Sequence, residues 1–191
     1  MPKRQGEPQP AVSFFADSVR RAMAQQLPVG ELFACAAKLK LLQQKQQIVE
    51  LYKAWIAHNP NDPLLYAVYF NYGVSLNEND DRFGAVNALR ECIRLKSDFY
   101  PPYINLGRVL EDMGQTGPAV EQWLNLVNGL PTVNGASVAH KIGALRQIGR
   151  VLETSFKDAA AEDALKQCLE LNADQDEVVQ HWLALRQRQF L

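Results

Sequence analysis

The chain has 191 residues, 47% apolar and 21% charged, a length for one domain or two small ones and a composition that excludes a disordered or collagen-like chain. Lys and Arg number 20 against 21 Asp and Glu, a formal charge of −1 that lacks the basic footprint of a phosphate-backbone binder. Three cysteines, at 35, 92 and 168, suit neither a disulfide framework nor a zinc site, no stretch reaches the roughly 18 apolar residues of a membrane span, and MPKRQGEPQP offers no apolar signal region. The expectation is a cytoplasmic protein with no nucleic-acid or membrane partner.

Residues 1–12 read as a flexible tail. Ser13 is the predicted N-cap of a helix over 13–27, with Phe15, Val19, Met23 and Leu27 recurring every four residues and Pro28 and Gly30 ending it. A helix pair follows over 28–62, closed by Pro60. From there helical periods are separated by NENDD at 77–81 and GQTG at 114–117. No alternating strand pattern is present, and Asn134-Gly135 lies between helical patterns, so it predicts a helix connection. The last stretch, 174–191, opens acidic and closes basic with Val178, Trp182 and Leu185 on one face, a capping helix oriented to suit its dipole.

Self-comparison shows a repeat. A shift of 34 residues lays Tyr69, Asn71, Gly73, Leu76, Ala85 and Leu89 on Tyr103, Asn105, Gly107, Leu110, Ala119 and Trp123. A shift of 42 lays Leu106, Gly107, Leu110 and Ala119 on Ile148, Gly149, Leu152 and Ala161, so eight residues are inserted near 131–140. Gly107 and Ala119 must be small where two antiparallel helices cross closely, and Pro131 is expected to close the second helix.

This spacing resembles the tetratricopeptide repeat, which implies an all-α right-handed solenoid, or superhelix, with three units over 63–173 after a degenerate pair that lacks the small markers. Such a scaffold binds extended peptides on its concave face. The residues that would face it are Asn71, Asn105 and Gln147, whose amides can pair with a peptide backbone or with their own helix. Arg108 and Arg150 follow the repeat glycine and Arg146 lies beside them; they can take carboxylates or phosphates of a ligand, or pair with Glu111, Glu153 or Asp112. Phe70, Val74 and Ile104 stand where the chaperone-tail clamp of some members needs Lys and Asn, which excludes that clamp.

The asparagine column and the segment CLELNADQDEVVQHWLALRQRQ at 168–189 also resemble the repeat region of the bacterial, SPINDLY-like branch of O-linked N-acetylglucosamine transferases. That resemblance implies acceptor recognition; the alternative is a free-standing adaptor or assembly scaffold. The glycosyltransferase lobes of that family find no counterpart in these residues, and no catalytic residue, metal or cofactor is expected. His58, His140 and His181 are scattered, Cys92 and Cys168 sit at packing positions, and Trp55, Trp123 and Trp182 read as core aromatics. The first helix, with Phe14 and Phe15, either folds back or makes a homodimer contact.

Overall fold

The computed structural model describes residues 10–130, 135–155, 157–172 and 175–188. Among these all regular structure is helical: α1 Pro10–Met23, α2 Val29–Leu41, α3 Lys45–His58, α4 Leu65–Glu78, α5 Arg82–Leu95, α6 Pro101–Asp112, α7 Thr116–Gly129, α8 Gly135–Thr154, α9 Asp158–Leu171 and α10 Asp176–Arg188. The chain forms two compact units that part after Leu95. One holds α1 and the pairs α2/α3 and α4/α5, the other the pairs α6/α7 and α8/α9 with α10.

The first helix departs from its predicted bounds of 13–27. Pro10 opens it, a first-turn position where a missing N–H costs nothing, so Ser13 lies inside it. It stops at Met23 because Gln25 is left-handed, with φ 58. The Gln26 N–H then donates to the Arg21 carbonyl at 2.8 Å and the Gln25 N–H to Ala22 at 3.2 Å, the paired closure of a Schellman turn. Pro28 and Gly30 therefore start the next helix and do not end the first: the Pro28 carbonyl accepts from the Leu32 N–H at 2.9 Å.

Phe14, Phe15 and Val19 pack against the first unit's core of Leu32, Leu39, Leu51 and Trp55. The buried Trp55 indole N–H donates to the Leu27 carbonyl at 2.7 Å, and the Asn59 amide to Ala22 at 3.3 Å. The apolar face of α1 is thus used within its own unit, against α2 and α3.

The same left-handed closure separates the helices of three pairs, at Gln43 (φ 58), Asp80 (φ 62) and Gly114 (φ 74). In each the following N–H reaches back five residues: Gln44 to Leu39 at 2.9 Å, Asp81 to Leu76 at 3.0 Å, Gln115 to Leu110 at 2.8 Å. These turns place the pairs in register. Gly73 and Gly107 stand seven residues before Asp80 and Gly114, and seven before Gln43 stands Ala36, which is buried. The degenerate pair therefore carries a small residue at that position after all; a three-residue offset from the 34-residue period hides it.

Each marker glycine lies where its pair crosses. A methyl group on Gly73 would stand 2.9 Å from Leu89 Cγ, one on Gly149 2.9 Å from Leu165 Cδ2, and one on Gly107 would enter the Trp123 indole, 2.8 Å from Cδ1. Ala85, Ala119 and Ala161, the second small markers, have no exposed surface. Cys92 and Cys168 are buried as well, and burial pushes the Cys92 thiol up to about 12, so both act as small apolar fillers.

In the second unit α7 ends at Gly129 and Leu130 is extended, with φ −80 and ψ 125, the backbone a residue before proline adopts. Pro131 itself, Ala173 and Asp174 lie outside the described residues. The insertion is resolved by α8, which starts at Gly135, eight residues ahead of the position that matches the start of α6, and so gains about two helical turns. Val178 and Leu185 bury the apolar side of α10. Trp182 is half-buried beside them, and polar pairs flank the helix: the ion pairs Arg146–Glu177 at 3.2 Å, Arg186–Glu162 at 3.7 Å and Arg188–Glu153, and the His181–Glu153 contact at 2.5 Å.

Gly107→Ala is expected to cost about 1–3 kcal/mol by overpacking, whereas Gln43→Gly, which removes a left-handed side chain, raises stability by about 0.5–1 kcal/mol; melting temperatures of the two variants check both signs. The Arg188 guanidinium first, and the His181 ring as well, hold the Glu153 carboxyl below the usual carboxylate range against the opposing effect of burial. Glu153 then stabilises the fold above its unfolded value, about pH 4.3, and loses that contribution as pH falls through its lower folded value. The melting temperature of the wild type should exceed that of Glu153→Gln at neutral pH, and the two should converge between about pH 5 and about pH 3.

Candidate functional site

The six residues expected to face a ligand fall on three helices. Asn71 is on α4 of the first unit; Asn105 and Arg108 are on α6 and Arg146, Gln147 and Arg150 on α8, all in the second.

Asn71 is half-buried and its amide donates to the Ala67 carbonyl one turn earlier on its own helix, at 2.9 Å. It also lines a cleft of about 210 Å³ between α2, α3 and α4, with Phe33, Tyr52 and Ser75 and with the Lys40–Glu78 ion pair (2.7 Å) at its mouth. Burial raises the pKa of the Tyr52 hydroxyl, which keeps it protonated at neutral pH. Among the described residues of α1, none lines this cleft.

A larger cleft, about 530 Å³, opens in the second unit between α8, α9 and α10. Arg146, Gln147 and Arg150 line it together with His181, Glu177, Gly143 and the buried Leu165 and Val178. Positions 143, 146, 147 and 150 share one face of α8 because residues three and four apart stack on a helix. Asn105 and Arg108 do not line it; Asn105 is half-buried and Arg108 exposed on α6.

Acids of neighbouring helices orient the cleft's donors. The Arg150 guanidinium donates to Glu111 of α6 at 2.6 Å and to Gln147 Oε1 at 2.9 Å. Its pairing with Glu111 raises its pKa and holds it charged. His181 Nε2 meets Glu153 at 2.5 Å, and Arg146 meets Glu177 at 3.2 Å. The sequence alternative of Arg–Glu pairing is therefore realised in part, with the partner on an adjacent helix and not one turn away on the same one.

His181 is the site residue that sequence reasoning passed over. Its signal lies in the cap helix, where spacing to α8 carries no information; the other two histidines bond their own helices, His58 to Ala54 at 2.9 Å and His140 to Ala136 at 2.7 Å. Among the described residues no group of three or more His, Cys, Asp or Glu is placed to hold a metal ion, and no helix is long and apolar enough to cross a membrane.

No protein-family model and no curated protein sequence matches the chain. Solved structures do. The crystal structure of MamA aligns with a TM-score of 0.63 at 20% identity, covering 85% of this chain and 91% of that one. MamA from Desulfovibrio magneticus RS-1 gives 0.58 at 16% identity over 96% and 88%. A tetratricopeptide repeat protein from Parabacteroides merdae gives 0.68 at 16% identity over 88% of this chain and 59% of that one. With the small-residue crossings and turn register described above, they establish the fold as an all-α helical solenoid of tetratricopeptide type.

Proposed function

We propose that the chain is a protein-binding repeat module and that the second-unit cleft is part of its ligand-facing surface, taking a polypeptide in extended conformation. The observation that carries this is the gathering of Arg146, Gln147 and Arg150, with His181, around one open cleft of about 530 Å³. Their helix spends its apolar positions, Ala144, Leu145, Ile148 and Val151, on the core, so the polar row is left to a partner. Side-chain donors in a row suit a backbone with carbonyls pointing outward. The ligand-binding role needs no catalytic group, and none is assigned.

In its general form the reading is that of an adaptor or assembly scaffold. The finer one, acceptor recognition for a glycosyltransferase of the O-linked N-acetylglucosamine type, draws its support from the Asn71, Asn105 and Gln147 register and the 168–189 segment. It adds a requirement: the asparagines must hold the ligand backbone although Asn71 already donates to Ala67. A homodimer through α1 would use that helix's polar face, Ala16, Asp17 and Arg20, which is exposed.

Peptides selected from a random display library against the full chain test the proposal. The Arg146→Ala, Arg150→Ala double variant should bind the selected peptides about ten-fold or more weakly with an unchanged helical signal, and Lys166→Ala on the exposed side of α9 should bind as wild type. Selection of no peptide, or equal binding by the double variant, would overturn it. For the acceptor reading, Asn71→Ala with Asn105→Ala should cost about 1 kcal/mol per lost hydrogen bond in the same assay.

A further inference from the structure

We propose that the second-unit cleft is a carboxylate site occupied in the free protein by the chain's own Glu177, and that an acidic side chain of a bound polypeptide displaces it. This rests on the protein-binding reading and adds what the cleft recognises.

Four donor side chains line the cleft, Arg146, Gln147, Arg150 and His181, against one acid, Glu177. The acids that balance the rest stand behind the wall and do not line it. Glu111 holds Arg150 at 2.6 Å with its own side chain 25% exposed, and Glu153 holds His181 at 2.5 Å with 22% exposed. Backed in this way, the donors keep their orientation without consuming the space in front of them, which is the arrangement of preorganised charge recognition.

Glu177 differs from both. Its side chain is 89% exposed and meets a half-exposed Arg146, at 3.2 Å. An ion pair of this kind is weak and readily exchanged. A glutamate from a ligand can make the same bond and gain more: its carboxylate reaches toward Arg150 and His181 as well, while its methylenes lie on Leu165 and Val178, which form the apolar part of the wall. Gly143 leaves the remaining side open, with nothing within 4 Å of where a Cβ would stand.

The test uses the full ¹⁵N-labelled chain titrated with N-acetylglutamate N-methylamide, and with the glutamine analogue as control, read at the Arg146 and Arg150 Nε–H signals and the His181 ring. The expected result is saturable shifts with the glutamate compound alone, a midpoint tightened about two- to five-fold in Glu177→Gln as the weak internal pair is removed, and binding lost in Arg146→Ala. Gly143→Leu, which adds bulk to the α8 wall of the cleft without changing a charge and whose Cβ has open space, should lose it too. Equal shifts with the glutamine compound, shifts elsewhere on the chain, or a midpoint unchanged in Glu177→Gln would overturn the site. If selected peptides need Arg146 and Arg150 while the glutamate compound fails, the carboxylate site is wrong and the protein-binding reading stands. Saturable glutamate binding with no peptide selected overturns the protein-binding reading instead.

Discussion

Everything in this molecule depends on how near two helices of a pair can come to one another. At the Gly107 crossing the partner is an indole ring, packed where even a methyl group on the facing helix would overlap it. Such proximity lets large side chains on either flank interdigitate at interior density. Leu106, Leu110, Trp123 and Leu126 are each at most 1% exposed around that point. A crossing one methylene wider would leave those neighbours without contacts and dissolve the seam.

Because the crossing consumes one face of α8, the opposite face is available for polar work. The arginines there are not free ions on a surface; each has an acidic partner, and the partners differ in depth. Glu111 and Glu153 are largely covered while Glu177 is open to water. This gradient from supporting acid to exposed acid gives the cleft a direction, with fixed charge at its back and exchangeable charge at its mouth.

Much of this was legible in the residues, and the reasons differ by feature. The glycine and alanine markers were readable because the crossing distance admits only the smallest side chains, and the α8 arginines because residues four apart share a helix face. Three features were not. Gln25 and Gln43 close their helices in a conformation that glycine or asparagine usually signals, so the end of α1 was placed four residues late. Ala36 was missed because its unit is offset from the period. His181 enters the cleft from a helix whose distance along the chain from Arg150 is 31 residues, and only packing brings it there.

The attachment of α10 carries a consequence for cooperativity. Val178 and Leu185 are buried and Trp182 is half-buried on this helix, with ion pairs at its flanks, so part of its hold weakens with ionic strength while the apolar seams of α6 to α9 do not. At high salt the terminal helix should therefore detach at a lower free energy than the rest of its unit, as a local opening. Since Val178, Glu177 and His181 of α10 form one wall of the cleft, any ligand bridging that wall to α8 also rivets the end of the chain, and occupancy becomes measurable as slowed amide exchange in α10.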